Sequence, residues 1–126
     1  MKKIITTLNA PAPIGPYNQA VFVNDTLYIS GQIGLNPLTM ELVEGGVKKE
    51  AEQVMVNLKS VLDAAEMNFD QVVKSSIFLT DMAHFGQVNE VYGSYFNNET
   101  APARETIAVE SLPKNVRVEI SMIAIK

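Results

Sequence analysis

The chain has 126 residues, of which 47% are hydrophobic and 19% charged, and its net charge is −4. That describes a single domain, residues 1–126, long enough to bury a sizeable core. The acidic balance opposes a nucleic-acid partner. The lack of cysteine removes disulfides, thiolate nucleophiles and zinc knuckles, and one histidine, His84, leaves too little for a histidine metal site.

In chain order, the apolar stretch after Lys2 and Lys3 is only Ile4 and Ile5. It is too short for a signal sequence or a membrane span, so a cytoplasmic location is the default expectation. A short strand is expected at 3–6, then a proline-rich loop from Ala10 to Pro16. Residues 20–23 and 27–30 read as two strands turned by Asn24-Asp25. A loop from Gly31 to Gly46 carries turn signals at Asn36-Pro37 and Gly45-Gly46. It has no phosphate-loop pattern, because Gly31 and Gly34 lack the further Gly and Lys. Val47, Ala51, Val54, Leu58, Val61, Leu62 and Ala65 recur at helical spacing, which predicts a helix over about 47–67. Residues 72–79 read as a strand. Asp81 can cap a second helix, with Phe85, Val88, Tyr92, Tyr95 and Phe96 on one stripe and Asn97-Asn98 at its end. No Gly-x-Ser-x-Gly elbow is present, so a serine-histidine triad has no support.

The last third predicts two strands, 104–109 and 116–125, paired as a β-hairpin. Arg104, Thr106 and Ala108 alternate with Ile107 and Val109, while Val116, Val118, Ile120 and Met122 alternate with Arg117, Glu119 and Ser121. Matching the apolar faces places Arg104 near Ser121 and Thr106 near Glu119. A guanidinium, a hydroxyl and a carboxylate then share a surface suited to a small carboxylate ligand, which a guanidinium fork binds bidentately. The same pair is also what a solvated Arg–Glu pair of little energetic worth looks like. The order β, ββ, α, β, α, ββ makes a two-layer α/β domain with helices on one sheet face. The other face, expected to carry Arg104 and Glu119, needs a partner, which a closed ring of subunits supplies.

Several segments taken together resemble one family over nearly the whole chain. They are Gly-Pro-Tyr-Asn-Gln-Ala at 15–20, Ser-Gly-Gln-Ile at 30–33, Asn-Pro at 36–37, Val-Val-Lys at 72–74 and Phe-Leu-Thr-Asp-Met at 78–82. Val-Asn-Glu-Val-Tyr at 88–92, Pro-Ala-Arg at 102–104, Leu-Pro-Lys at 112–114 and Val-Glu-Ile at 118–120 complete the set. In order and with few gaps, they resemble the RidA/YjgF family (reactive intermediate deaminase A).

The resemblance implies a chorismate-mutase-like fold, with a mixed six-stranded sheet and two long helices on one face. It also implies a homotrimer with a barrel-like core and three clefts between subunits. The implied activity is hydrolysis of 2-imino acids, such as 2-iminobutanoate and 2-iminopropanoate, to 2-oxo acids and ammonia, without metal or cofactor. Residue by residue, the carboxylate-binding arginine falls on Arg104, the catalytic glutamate on Glu119 and the cleft tyrosine on Tyr17. Substrate-binding positions fall on Ser30, Gly31 and Asn89, and the backbone N–H of Gly31 or Thr106 is expected to add hydrogen bonds to the substrate. The alternative is a non-catalytic trimeric binder of small carboxylates, 2-oxo or short fatty acids, with a regulatory role in amino-acid metabolism; Glu119 discriminates between the two, since pure carboxylate binding needs no acid–base group. Ribonuclease activity, reported for some members, is opposed by the acidic charge.

The chain departs from the family pattern where many relatives have Arg-Ser-Cys and it has Arg104-Glu105-Thr106. Glu105 adds a negative charge beside the carboxylate binder, although alternation turns it to the opposite face. Many relatives also have Pro at the position of Gly34 and Gly at that of Glu66, so Asn68 is expected to end the first helix.

Overall fold

The computed structural model describes residues 1–126. Six strands form one mixed sheet: β1 (Lys3–Ile5), β2 (Ala20–Val23), β3 (Thr26–Gln32), β4 (Val72–Leu79), β5 (Ala103–Ala108) and β6 (Val118–Ile125). Two helices, α1 (Val47–Ala64) and α2 (Phe85–Gly93), complete the domain. The strand order is β1-β2-β3-β6-β4-β5. All pairings are antiparallel except β4 with β5, which is parallel.

This order overturns the expected hairpin between residues 104–109 and 116–125. Strand β5 lies at the sheet edge against β4, and β6 lies between β3 and β4. The reason is burial. Val118, Ile120, Met122 and Ala124 are all fully buried, which requires a neighbour on each side, whereas most of β5 is exposed. Two helical crossovers, β3–α1–β4 and β4–α2–β5, step the same way along the sheet. Their shared right-handedness puts both helices on one face.

The Asn24-Asp25 turn is as expected, with both residues at positive φ, as a tight hairpin turn demands. Helix α1 ends at Ala64, and Glu66 takes the left-handed conformation at φ 57 that usually favours glycine. Asn68 does not end this helix. It caps a short 3₁₀ turn (Phe69–Gln71) in a reciprocal capping box with Gln71. Asp81 likewise caps a 3₁₀ turn (Met82–His84), and α2 follows with only nine residues, shorter than the long second helix expected.

The core is the helix face of the sheet packed against the α1 stripe Val47, Ala51, Val54, Leu58, Val61 and Leu62, closed by Val88, Val91 and Tyr92 of α2. Full burial of each valine or leucine of this stripe contributes about 1.5–3 kcal/mol. The opposite sheet face is bare. It exposes Tyr28, Val73, Ile107 and Ile125, each between 44% and 49% accessible. No helix is long and apolar enough to cross a membrane.

Candidate active site

Strand register separates the two charged groups that a hairpin would have joined. Arg104 pairs with Ser75, and Ser75 with Met122, so Arg104 leaves the sheet on the helix side. Glu119 pairs with Phe78, three residues further along β4, and therefore leaves on the bare side. Within one chain the two groups lie on opposite faces. Thr106 shares Arg104's face beside Ile77 and Ile120, not Glu119's.

Four of the expected residues do gather. Tyr17, Ser30, Gly31 and Glu119 line a cleft of about 520 Å³, walled by Ile14, Ile33 and Pro113. A register shift in β3 between Ile29 and Gln32 sets its floor, where an extra residue bends the strand at Ser30-Gly31. Gly31 has to lack a side chain here. A Cβ on it would stand 2.7 Å from the Glu119 Cδ and 2.9 Å from its Cγ, inside any normal contact. Burial pushes the Glu119 carboxyl above the ordinary carboxylate range. The Ser30 hydroxyl donates to the Asn18 carbonyl at 2.5 Å, and the Ser30 N–H to the Gln19 carbonyl at 3.0 Å. Tyr17 is half exposed, and its hydroxyl accepts the Ile14 N–H at 3.4 Å.

Residues absent from the expected set hold this cleft in shape. Gln19 is buried beneath the Tyr17 loop. Its Oε1 accepts the Thr7 N–H at 2.7 Å, and its Nε2 donates to the carbonyls of Thr7, Ala10 and Pro11. Asn57 of α1 donates to the Ile33 and Leu35 carbonyls at 3.1 and 3.0 Å. Glu50, fully buried on α1, accepts from the Arg117 backbone at 2.8 Å and from its guanidinium at 2.6 Å, two residues before Glu119. The signal for Glu50 and Asn57 was present: each interrupts the apolar stripe of α1 at helical spacing, where a buried polar group needs a partner.

The second half of the expected set lies at the sheet edge. Arg104 and Asn89, with Tyr92, Phe96, Asn98 and Pro102, line a hollow of about 400 Å³. Arg104 Nη1 donates to Asn89 Oδ1 at 2.8 Å. Its Cζ stands 5.0 Å from the Tyr92 ring centre and 5.7 Å from that of Phe85. Of the two arginines, Arg117 is paired with Glu50 while Arg104 has no carboxylate partner. The Thr106 hydroxyl is buried beside it without a hydrogen-bond partner. Glu105 does not compete for Arg104. It leaves the opposite face, where Lys74 Nζ stands 3.0 Å from its carboxylate and Ser76 donates to it. The Ser76 bond first and Lys74 second hold its carboxyl below the ordinary range. Nowhere do three His, Asp or Glu side chains gather in a way that could hold a metal ion.

Relatives of this chain build the same fold. The model of the endoribonuclease L-PSP family matches residues 7–126, and the chain belongs to that family, the one its motifs resemble under the name RidA/YjgF. It is 50% identical to the 2-iminobutanoate/2-iminopropanoate deaminase of Mus musculus, over 100% of this chain and 93% of that protein. Its fold matches YyfA from Yersinia pestis, of the conserved Rid protein family, with TM-score 0.96 and 45% identity over the full length of both. It also matches E. coli TdcF crystallised with bound serine, with TM-score 0.92 and 37% identity over 98% of each chain.

Proposed function

We propose that this chain hydrolyses 2-imino acids to 2-oxo acids and ammonia, the activity named for its mouse relative. The observation that carries the reading is Arg104, a guanidinium with no carboxylate of its own, held between two aromatic rings with most of its donors free. Such a group binds a small carboxylate bidentately. Serine bound by TdcF is a ligand of that kind and size.

Chemistry needs Arg104 and Glu119 on one substrate, and one chain holds them on opposite faces. The reading therefore includes a ring of three copies, as the family resemblance implies, with Arg104 of one subunit facing the Glu119 cleft of the next. The bare apolar sheet face supports it, because Tyr28, Val73, Ile107 and Ile125 are the side chains an assembly would cover.

In that cleft Arg104 orients the substrate carboxylate, so the imine carbon is presented in a fixed pose. Glu119 accepts a proton from water as the oxygen bonds to the imine carbon, and the C=N electrons move to nitrogen. It returns that proton to nitrogen, then takes the hydroxyl proton of the resulting carbinolamine and passes it to nitrogen as well, so the C–N bond breaks and ammonia leaves as the C=O bond forms. Water is consumed and ammonia leaves, so the step balances with no further reactant. The raised Glu119 carboxyl suits this exchange near neutral pH and favours turnover over simple carboxylate binding. Tyr17 and Ser30 contribute hydroxyls to the rim, and the Gly31 N–H lets substrate approach the backbone.

The test generates 2-iminobutanoate with a threonine dehydratase and traps the surviving imine with semicarbazide. Wild-type protein should lower trapping, and Arg104→Ala and Glu119→Gln should not. Equal trapping with and without wild type would end this reading.

A further inference from the structure

Arg104 sits on an edge strand, and arginine carries roughly 2 kcal/mol of rotamer entropy. A fork that waits for a small anion gains affinity when it is ordered beforehand. The only hydrogen bond that holds it is the one to Asn89, which is itself exposed on α2. A second group does more. Phe85, Asn89 and Tyr92 are spaced i, i+4 and i+7 on α2, so they form one stripe facing Arg104. Tyr92 is the buried member, at 5% exposure, and its ring centre is the nearer to the guanidinium.

Burial and one hydrogen bond hold the Tyr92 ring. Its hydroxyl donates to Ser75 Oγ at 2.9 Å, and Ser75, fully buried on β4, is the residue paired directly with Arg104. The chain of contact runs from β4 through the hydroxyl to α2 and back to the edge strand. Burial pushes the Tyr92 phenol upward, against the smaller opposing effects of Ser75 and Arg104, so the ring stays neutral and offers only its face. A neutral ring attracts the guanidinium without competing for its donors as a carboxylate would.

We propose that Tyr92, locked by Ser75, is the positioning residue that fixes the plane of the Arg104 guanidinium for bidentate capture of a substrate carboxylate. The proposal rests on the reading above that Arg104 binds that carboxylate. It makes the Ser75–Tyr92 bond part of substrate selection although neither residue need touch substrate.

Two readouts test it. The first is independent of activity: ¹⁵N relaxation of the Arg104 Nε–Hε group in the full chain. It should report an ordered side chain in wild type, partial loosening in Tyr92→Phe, and free motion in Tyr92→Leu. The second is the imine-trapping assay. Tyr92→Leu should raise KM about tenfold, the scale of one cation–π contact, with kcat changed less. Tyr92→Phe leaves Ser75 without its partner, and adding Ser75→Ala should recover thermal stability but not Arg104 order. Equal Arg104 order in wild type and the Tyr92 variants would overturn the proposal, as would an unchanged KM in an active Tyr92→Leu protein. Should Tyr92→Leu not fold, Tyr92→Phe decides by the relaxation readout. An inactive wild type with an ordered Arg104 that loosens in the variants would refute the deaminase reading alone.

Discussion

Replacing Gly31 by alanine inserts one carbon into space the Glu119 side chain already occupies, 2.7 Å from its Cδ and 2.9 Å from its Cγ. The neighbour that must yield is the end of a half-buried side chain facing a cleft, not backbone. Glu119 therefore rotates away, at about 0.5–1.5 kcal/mol for an off-rotamer side chain. That lowers Tm by roughly 2–8 °C. The catalytic loss is larger, because a carboxylate displaced by about 1 Å costs on the order of 100-fold in rate. Semicarbazide trapping of 2-iminobutanoate should thus show kcat/KM down about 100-fold, while a thermal melt shows a modest shift. Gly86→Ala is the control: nothing lies within 4 Å of its Cβ position, and the helix should gain up to about 1 kcal/mol. A Gly31→Ala protein that hydrolyses imine within threefold of wild type would refute the claim that Gly31 exists to seat Glu119.

Burial raises the Glu119 carboxyl, so the folded chain holds a proton where the unfolded chain has released it. Stability must fall as pH rises through the interval between the ordinary carboxylate value and the raised one. Glu119→Gln should accordingly melt above wild type at about pH 8, with the difference gone below about pH 4, while losing activity under the proposed function. Arg117→Ala strands Glu50 as a fully buried carboxylate with only a backbone partner, and urea unfolding should show a loss of about 3–5 kcal/mol. Solution mass should be about three times 13.8 kDa; a monomer would contradict the shared cleft. Inactive Arg104→Ala and Glu119→Gln chains, unfolded and refolded together in equal amounts, should regain about a quarter of wild-type activity, since one cleft in four then joins an intact arginine to an intact glutamate. No regain would place both groups in the same subunit's site.

Local signals were legible in the sequence. The stripe of α1, the Asn24-Asp25 turn and the boundaries of β2 and β4 follow from short-range periodicity and turn chemistry. What failed was pairing. Residues 104–109 and 116–125 look like hairpin partners because they are adjacent and alternate well, yet the partner of β5 is chosen by the α2 crossover and that of β6 by burial on both sides. Neither constraint is local. The error mattered at the site, since it joined Arg104 to Glu119 within one chain. The individual residues fared better: Asn89 does bond Arg104, and Tyr17, Ser30, Gly31 and Glu119 do line one cleft. Tyr92 was hidden in its helical stripe, where a tyrosine filling core and a tyrosine holding an arginine have the same spacing.

The placement of Arg104 and Glu119 on opposite faces has a consequence for dose. Under the proposed function each chain carries both reacting groups and can bring them together only with a second copy. Under the proposed assembly, catalytic output rises more steeply than protein concentration wherever the ring is partly dissociated, and dilution silences the protein without altering a single reactive group. Under that assembly a charge on the bare sheet face away from both hollows, such as Ile125→Lys at the far end of β6, should have the same effect as dilution. The proposed activity thus depends on the bare face as well as on the reacting residues.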